Sequence, residues 1–323
     1  MSVVAPAIGI DVGGTSIKLG VVDPAGIIIE QKHLATGADR GPDHVLATIA
    51  SGARDLLALH PDAVSIGLGV PGVINDRGDI SHPPNFPGWG ILPVARRLRP
   101  LIGTDLPIAV ENDANVAALA ESRIGSAKDD PTFLFITLGT GVGGCIISKG
   151  MIWRGASGGA GEAGHVSIDI NGQLCNCGAR GCIEAYLGQR YMSAAAALRL
   201  ERHPESSLHA MLADGAALDP RLIDKAADEG DMFAREFLEE MGTILGAGLA
   251  SIMNLCDIHL VIVGGGLSRS EDHLLGPARM AMTSRLLKSI APVAELRAAA
   301  LSNDAGIIGA AMLGRMAGDD GEG

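Results

Sequence analysis

Cys175, Cys177 and Cys182 crowd into a stretch of eight residues, and His165 stands ten positions before the first of them. Three thiolates and an imidazole in the order H-x9-C-x-C-x4-C make a complete tetrahedral set for zinc. Four protein ligands leave no position for water, so such a metal would be structural and would pin the loop that carries Glu162 and Glu184. The competing account is a redox cluster whose thiols pair on oxidation, and a reducing compartment favours metal over disulfide. Cys145 and Cys256 lie alone in apolar surroundings and read as inert core thiols.

A second group suits phosphate chemistry. Asp11-Val12-Gly13-Gly14-Thr15-Ser16-Ile17-Lys18 puts an acid, two glycines, a hydroxyl and a cation at one turn. Glycines let backbone N–H groups come close to an anion. Thr15 adds a hydroxyl donor, Lys18 a cation, and Asp11 a partner for Mg²⁺ or its water. No Gly-Lys-Ser/Thr follows, so this is no Walker loop, and a strand follows where a dinucleotide fingerprint needs a helix. Thr137-Leu138-Gly139-Thr140-Gly141 repeats the pattern in the second half of the chain. Two such turns point to paired clamps on the phosphates of ATP across a cleft. Gly264-Gly265-Gly266, after a Val/Ile strand, suits a plain strand end, and in a nucleotide enzyme it would let backbone lie flat against adenosine.

Glu111-Asn112-Asp113 falls at a strand end and a helix start, where α/β sheets place ligands. Asp113 suits an N-cap there. It also suits the carboxylate that a phosphoryl transfer needs to accept the acceptor's hydroxyl proton.

These groups must be positioned by elements, and the pattern supplies them. Strands are expected at Ala7–Asp11, Ser16–Asp23 and Ile27–Leu34, a helix at Asp43–His60, and a strand at Val64–Val70. A helix at Val94–Ile102, a strand at Ile108–Val110 and an alanine-rich helix at Ala114–Ile124 follow. The order then restarts with strands at Phe133–Leu138, Cys145–Ser148 and Met151–Arg154, which reads as an internal duplication. Helices around Asp231–Asn254, a strand at His259–Val263 and a last helix at Ala305–Met316 complete it.

With 323 residues, two cores are expected, and 47% hydrophobic with 3% aromatic makes them aliphatic, as buried parallel strands require. A formal charge of −12 argues against a phosphate-backbone partner. The apolar stretch Met241–Leu255 is broken by glycines and Asn254 and reads as a buried helix rather than a membrane span. Met1–Pro6 lacks the features of a signal peptide, so a soluble cytoplasmic protein is expected, binding neither nucleic acid nor membrane.

In this combination and order the motifs resemble the ROK family of bacterial sugar kinases and repressors, within the actin/hexokinase-like superfamily. The resemblance runs from Ile8 to about Met316, and Gly161–His165 with the cysteine cluster is its most specific part. It implies two RNase H-like α/β domains with an ATP-and-sugar cleft between them. Residues 1–118 would form the small domain, 119–303 the large one, and a helix over 304–316 would return to the first. It implies phosphorylation of a hexose at the 6-hydroxyl, with Asp113 as base and glucose the commonest acceptor. Asn85, Asn112, Glu162, His165 and Glu184 would bind sugar hydroxyls. Asp11, Gly13, Gly14, Thr15, Lys18, Thr137, Gly139, Thr140 and Gly141 would face the phosphates, and Gly265 and Gly266 the adenosine. His165, Cys175, Cys177 and Cys182 would hold structural zinc, and a homodimer or tetramer is expected. Two alternatives stand beside it: a kinase for N-acetylmannosamine or N-acetylglucosamine, and a sugar-responsive regulator. Family repressors carry a winged helix before the first strand, whereas few residues precede Ile8 here. Asn254–Asp257 replaces a proline common in relatives, at no proposed contact.

Overall fold

The computed structural model describes residues 5–319 apart from 76, 82 and 85. Its first strands, β1 (Ala7–Val12) and β2 (Ser16–Val22), are almost wholly buried runs of aliphatic residues, whereas β3 (Ile28–Ala35) is largely exposed. That contrast fits an edge position for β3, and the sheet order is β3-β2-β1-β4-β8, with β4 at Ile66–Val70 and β8 at Ile108–Asn112. β1 pairs antiparallel with β2 and parallel with β4, and β4 pairs parallel with β8. The helix α1 (Pro42–Leu59) starts with proline at its first position and buries Val45, Leu46, Ile49, Ala53 and Leu56 on one side. Val73–Ile74, Ile80–Ser81 and Ile91–Leu92 form a separate three-stranded antiparallel sheet (β5–β7), and α2 spans Val94–Ile102.

The helices α3 (Asp113–Arg123) and α10 (Ala305–Asp319) pack together through Val116, Leu119, Ala120, Ile307, Ala310, Ala311 and Leu313. α10 also lies directly on the sheet. A Cβ at Gly9 would meet the Ile307 carbonyl oxygen at 1.9 Å, and one at Gly67 the Ala310 oxygen at 1.7 Å. Only glycine permits that approach.

The second five-stranded sheet repeats the order as β11-β10-β9-β12-β13: β9 is Phe133–Leu138, β10 Val142–Ser148, β11 Met151–Ile152, β12 Leu260–Gly265 and β13 Glu295–Ala298. Again the first strand pairs parallel with the fourth, and the fourth with the fifth. The helices here are α4 (Glu184–Leu187), α5 (Gln189–Leu200), α6 (Leu208–Ala213), α7 (Pro220–Asp228), α8 (Met232–Cys256) and α9 (Gly276–Thr283).

By its contacts the chain forms two units, one of residues up to Pro131, Ile146–Ala160 and from Ala300 onward, the other of Thr132–Cys145 and Gly161–Ala299. A boundary at 118 would cut through α3, which belongs whole to the first unit. The strand expected at Cys145–Ser148 begins earlier, at Val142, and that expected at Ile108–Val110 runs on to Asn112.

Candidate active site

The β8–α3 turn is a closed set of hydrogen bonds. Glu111 is 1% exposed, and its carboxylate accepts from the Asn112 N–H (2.9 Å), the Asn115 amide (3.0 Å) and the Arg154 guanidinium (2.8 and 2.6 Å). The cap of α3 is Asn112: its Oδ1 accepts from the N–H groups of Ala114 and Asn115, and its amide donates to the Gly72 carbonyl. Asp113 is the first residue of the helix, half-buried, and its carboxylate also takes the Ala114 N–H at 2.9 Å. Arg154 and Asn115 were not singled out from sequence. No local signal marks Arg154, which lies 43 positions from Glu111 in sequence.

The turn between β1 and β2 leaves Gly14 and Thr15 exposed, with the Gly13 N–H bonded to the Ser16 carbonyl and the Thr36 hydroxyl donating to the Gly13 carbonyl at 2.6 Å. Asp11 and Lys18 are register partners across the strands, 3.7 Å apart, and the Lys18 ammonium also donates to the Asn303 carbonyl. Lys18 therefore serves the fold of its own unit as well as any anion. Burial raises the Asp11 pKa, and the Lys18 charge opposes the rise.

In the second unit, Gly139 and Thr140 are the exposed residues of the equivalent turn, and Thr137 is half-buried. A Cβ at Gly139 would meet nothing within 4 Å. The turn is closed by the Gly139 N–H to Gly141, while the Gln189 N–H bonds the Gly139 carbonyl and the Gly266 N–H bonds that of Leu138. These segments enclose a cavity of about 240 Å³, with Gly139, Leu187, Gln189, Arg221 and Gly266 among its lining. Gly265, the last residue of β12, and Gly266 are exposed beside it. Gln189 and Arg221 are not among the residues expected from sequence, and Arg221 follows the Asp219 cap and Pro220 start of α7. A larger groove of about 950 Å³ along α8 and α9 contains none of the expected site residues.

The cysteine cluster assembles as its spacing requires. The ligand atoms of His165, Cys175, Cys177 and Cys182 all lie within 4.8 Å of one another. Tetrahedral bonds of about 2.3 Å set sulfur ligands about 3.8 Å apart. The Cys177 and Cys182 sulfurs are 3.6 Å apart, and Cys175 Sγ is 3.8 Å from His165 Nδ1, so the cluster fits one such ion. No disulfide forms among the five cysteines. Burial raises Cys175 and pushes Cys182 up to about 12, whereas the Ala179 N–H lowers Cys177. A divalent cation would supply the charge that keeps all three as thiolates.

Glu184 ties this loop to the glycine turn. Its Oε2 accepts from the Val142 N–H at 2.9 Å, and its Oε1 lies 3.8 Å from Cys175 Sγ. Burial raises the pKa of Glu162, an effect countered by His165 and reinforced by Glu184. Within the second unit, Glu162, His165 and Glu184 are thus electrostatic neighbours. Asn85 lies outside the described residues.

Comparison with known proteins finds relatives along nearly the whole chain. The ROK family model matches residues 7–316. A glucokinase of Halalkalibacterium halodurans is 36% identical over 95% of this chain and 94% of its own length. An N-acetylmannosamine kinase of Escherichia fergusonii is 31% identical over 95% of this chain and 97% of its own. The crystal structure of a ROK family glucokinase from Streptomyces griseus, in complex with glucose and AMPPNP, superimposes with a TM-score of 0.84 at 35% identity, covering 96% of this chain and 99% of that one. Among the described residues no helix is long and apolar enough to cross a membrane. This chain belongs to the ROK family.

Proposed function

We propose that this chain transfers the γ-phosphate of ATP to the 6-hydroxyl of a hexose, glucose above others, with Asp113 as the general base. The observation that carries this is the frame around Asp113. Glu111 and Asn112 spend their polar atoms on locking the turn, and Asp113 is the half-buried carboxylate set on it. Asp113 takes the hydroxyl proton as the sugar oxygen bonds to phosphorus and the bond to ADP breaks. ATP enters as its Mg²⁺ complex. Gly14, Thr15 and Gly139–Gly141 offer backbone and hydroxyl donors to its phosphates, Asp11 faces the cation or its water, and the cavity beside Gly266 takes adenosine.

Glu162, His165 and Glu184 hold sugar hydroxyls in this scheme. Zinc, held by His165 and the three thiolates, would supply a rigid anchor and no reactive position. With Nδ1 turned to that cluster, the other ring nitrogen of His165 remains for sugar. Glucose is preferred to N-acetylmannosamine because the glucokinase relatives are the more similar. A cytoplasmic, homo-oligomeric enzyme belongs to the same proposal.

Asp113→Asn keeps the shape of the turn and removes the proton acceptor. Its kcat is expected to fall about 10²–10⁴-fold with hexose affinity retained. A variant keeping most of its kcat sinks the assignment, and a panel of hexoses and N-acetylhexosamines assayed with ATP settles the acceptor. Absence of ATP turnover with every sugar would favour a regulator.

A further inference from the structure

Glu121 is 0% exposed. Its carboxylate is occupied by backbone: the N–H groups of Ser126 (2.7 Å), Ala300 (3.2 Å) and Leu301 (2.8 Å) all donate to it. A Cβ at Gly125 would run into its Oε2, so the turn that follows α3 is shaped around this carboxylate. Burying an acid in this way is costly unless each acceptor site is filled, so the arrangement is built rather than incidental.

The donors come from two particular places. Ala300 and Leu301 are the first residues of the chain on its return to the first unit, and Ser126 lies just before its departure after Pro131. One carboxylate therefore fastens the outgoing and the returning chain to the C-terminal turn of α3. Glu111 does the same work at the other end of that helix. Its partner Arg154 lies on Ile146–Ala160, the other returning segment. α3 is thus tied at both ends, and its first residue is Asp113.

We propose that Glu121 is a positioning residue for phosphoryl transfer, acting through α3 on Asp113. A helix is stiff along its length, so release at Glu121 shifts or tilts the far end where Asp113 sits. Misplacement by about 1 Å is enough to cost about 10²-fold in rate. This assignment rests on the kinase function proposed above.

The test is kinetic. Glu121→Gln puts an NH₂ group against backbone N–H donors while keeping the volume of the side chain. Expected is a folded enzyme whose kcat is lowered about 10- to 100-fold, with KM for hexose and for ATP little changed. Because Glu121 acts through Asp113, adding Glu121→Gln to Asp113→Asn is expected to cost far less than it does alone. An unchanged kcat overturns the proposal. So does an equal further loss in the Asp113→Asn background, or a fall in kcat accompanied by parallel loss of both affinities and of Tm, since those mark a purely structural role. Should Glu121→Gln not fold, Glu121→Asp, which keeps the carboxylate but withdraws it by one methylene, is read by the same criteria. A parent enzyme inactive on every hexose would instead sink the kinase function itself, and that is known before any variant is made.

Discussion

The two units share a sheet order and differ in what they hang on it. In each, the first strand runs into an exposed Gly-Thr pair, Gly14-Thr15 in one and Gly139-Thr140 in the other. The first turn is flanked by Asp11 and Lys18, a charged pair, whereas the second offers Thr137, glycines and backbone. The loops behind the turns are also held differently. The first unit fixes Asp113 by a helix cap and buried carboxylates, a set of separate bonds each worth about 1 kcal/mol. The second gathers Glu162, His165 and Glu184 beside a cluster of four potential ligands, whose occupation by one ion would be all or none. The same sheet order is thus completed by a capped helix start in one unit and by a His/Cys cluster able to hold a metal in the other.

Removing one ligand breaks that contrast most severely. Purified protein is expected to hold about one Zn²⁺ per chain, and Cys177→Ser to hold none. Activity and hexose binding should go with the metal, because Glu184 links the cluster to the Val142 N–H. Chelation should act slowly, as loss of structure does. Elemental analysis giving substoichiometric zinc in fully active protein would refute the metal account and make the cluster a redox device.

The next largest effect separates the two turns by charge. Asp11→Asn should lower kcat/KM about 10²-fold, the usual scale for one preorganised electrostatic contact. Its stability should hold or rise. The folded pKa of Asp11 is raised by burial, so its ionised form costs the folded state free energy at neutral pH. The same shift moves the acid limb of the pH–rate profile upward, and the limb should move or vanish in the variant. At the second turn Gly139→Val adds bulk where the protein has none. A rise of about tenfold or more in KM for ATP, with hexose KM and Tm unchanged, corresponds to an overpacking cost of about 1–3 kcal/mol. Calorimetry showing unaltered nucleotide affinity would reduce Gly139 to a hairpin residue.

Much of this frame could be read from the chain because its signals are local. Glycine turns after aliphatic strands placed β1, β2 and β9 within a residue or two, and the helix expected at Val94–Ile102 is found at those bounds. The cysteine spacing brought four distant ligand atoms together because the loop between them is short and rich in glycine. What escaped depends on pairs far apart in sequence. Glu111 meets Arg154 across 43 positions, and Glu121 meets Ala300 across 179. Neither residue type nor periodicity announces such a partner. Short elements such as β13 and β5–β7 escaped as well, since two to four residues carry no period. Asn112 as cap was missed for another reason: Asn and Asp cap equally well, and only the structure chooses between adjacent ones.

The smallest expected effect lies away from both turns and tests whether a helix cap stabilises the second unit independently of the cysteine cluster. Asp231 caps α8, its Oδ1 taking the Ala234 N–H at 2.9 Å, while its Oδ2 accepts from the Ser206 hydroxyl (2.7 Å) and from the N–H and hydroxyl of Ser207 (2.6 and 2.9 Å). Burial by itself would raise this acid, but those donors outweigh it and hold its folded pKa below the ordinary value. A carboxylate depressed on folding contributes stability that is complete above the unfolded pKa and fades as pH falls through the folded one. With an unfolded value near 3.9, the contribution should be whole at pH 7 and shrink below about pH 4. Asp231→Ala is expected to cost about 1–2 kcal/mol at pH 7, as loss of an N-cap does. In urea titrations the gap between parent and variant should narrow between pH 4 and pH 2. A gap that stays constant across that range would mean the carboxylate acts by filling space, and that its charge contributes nothing to the fold.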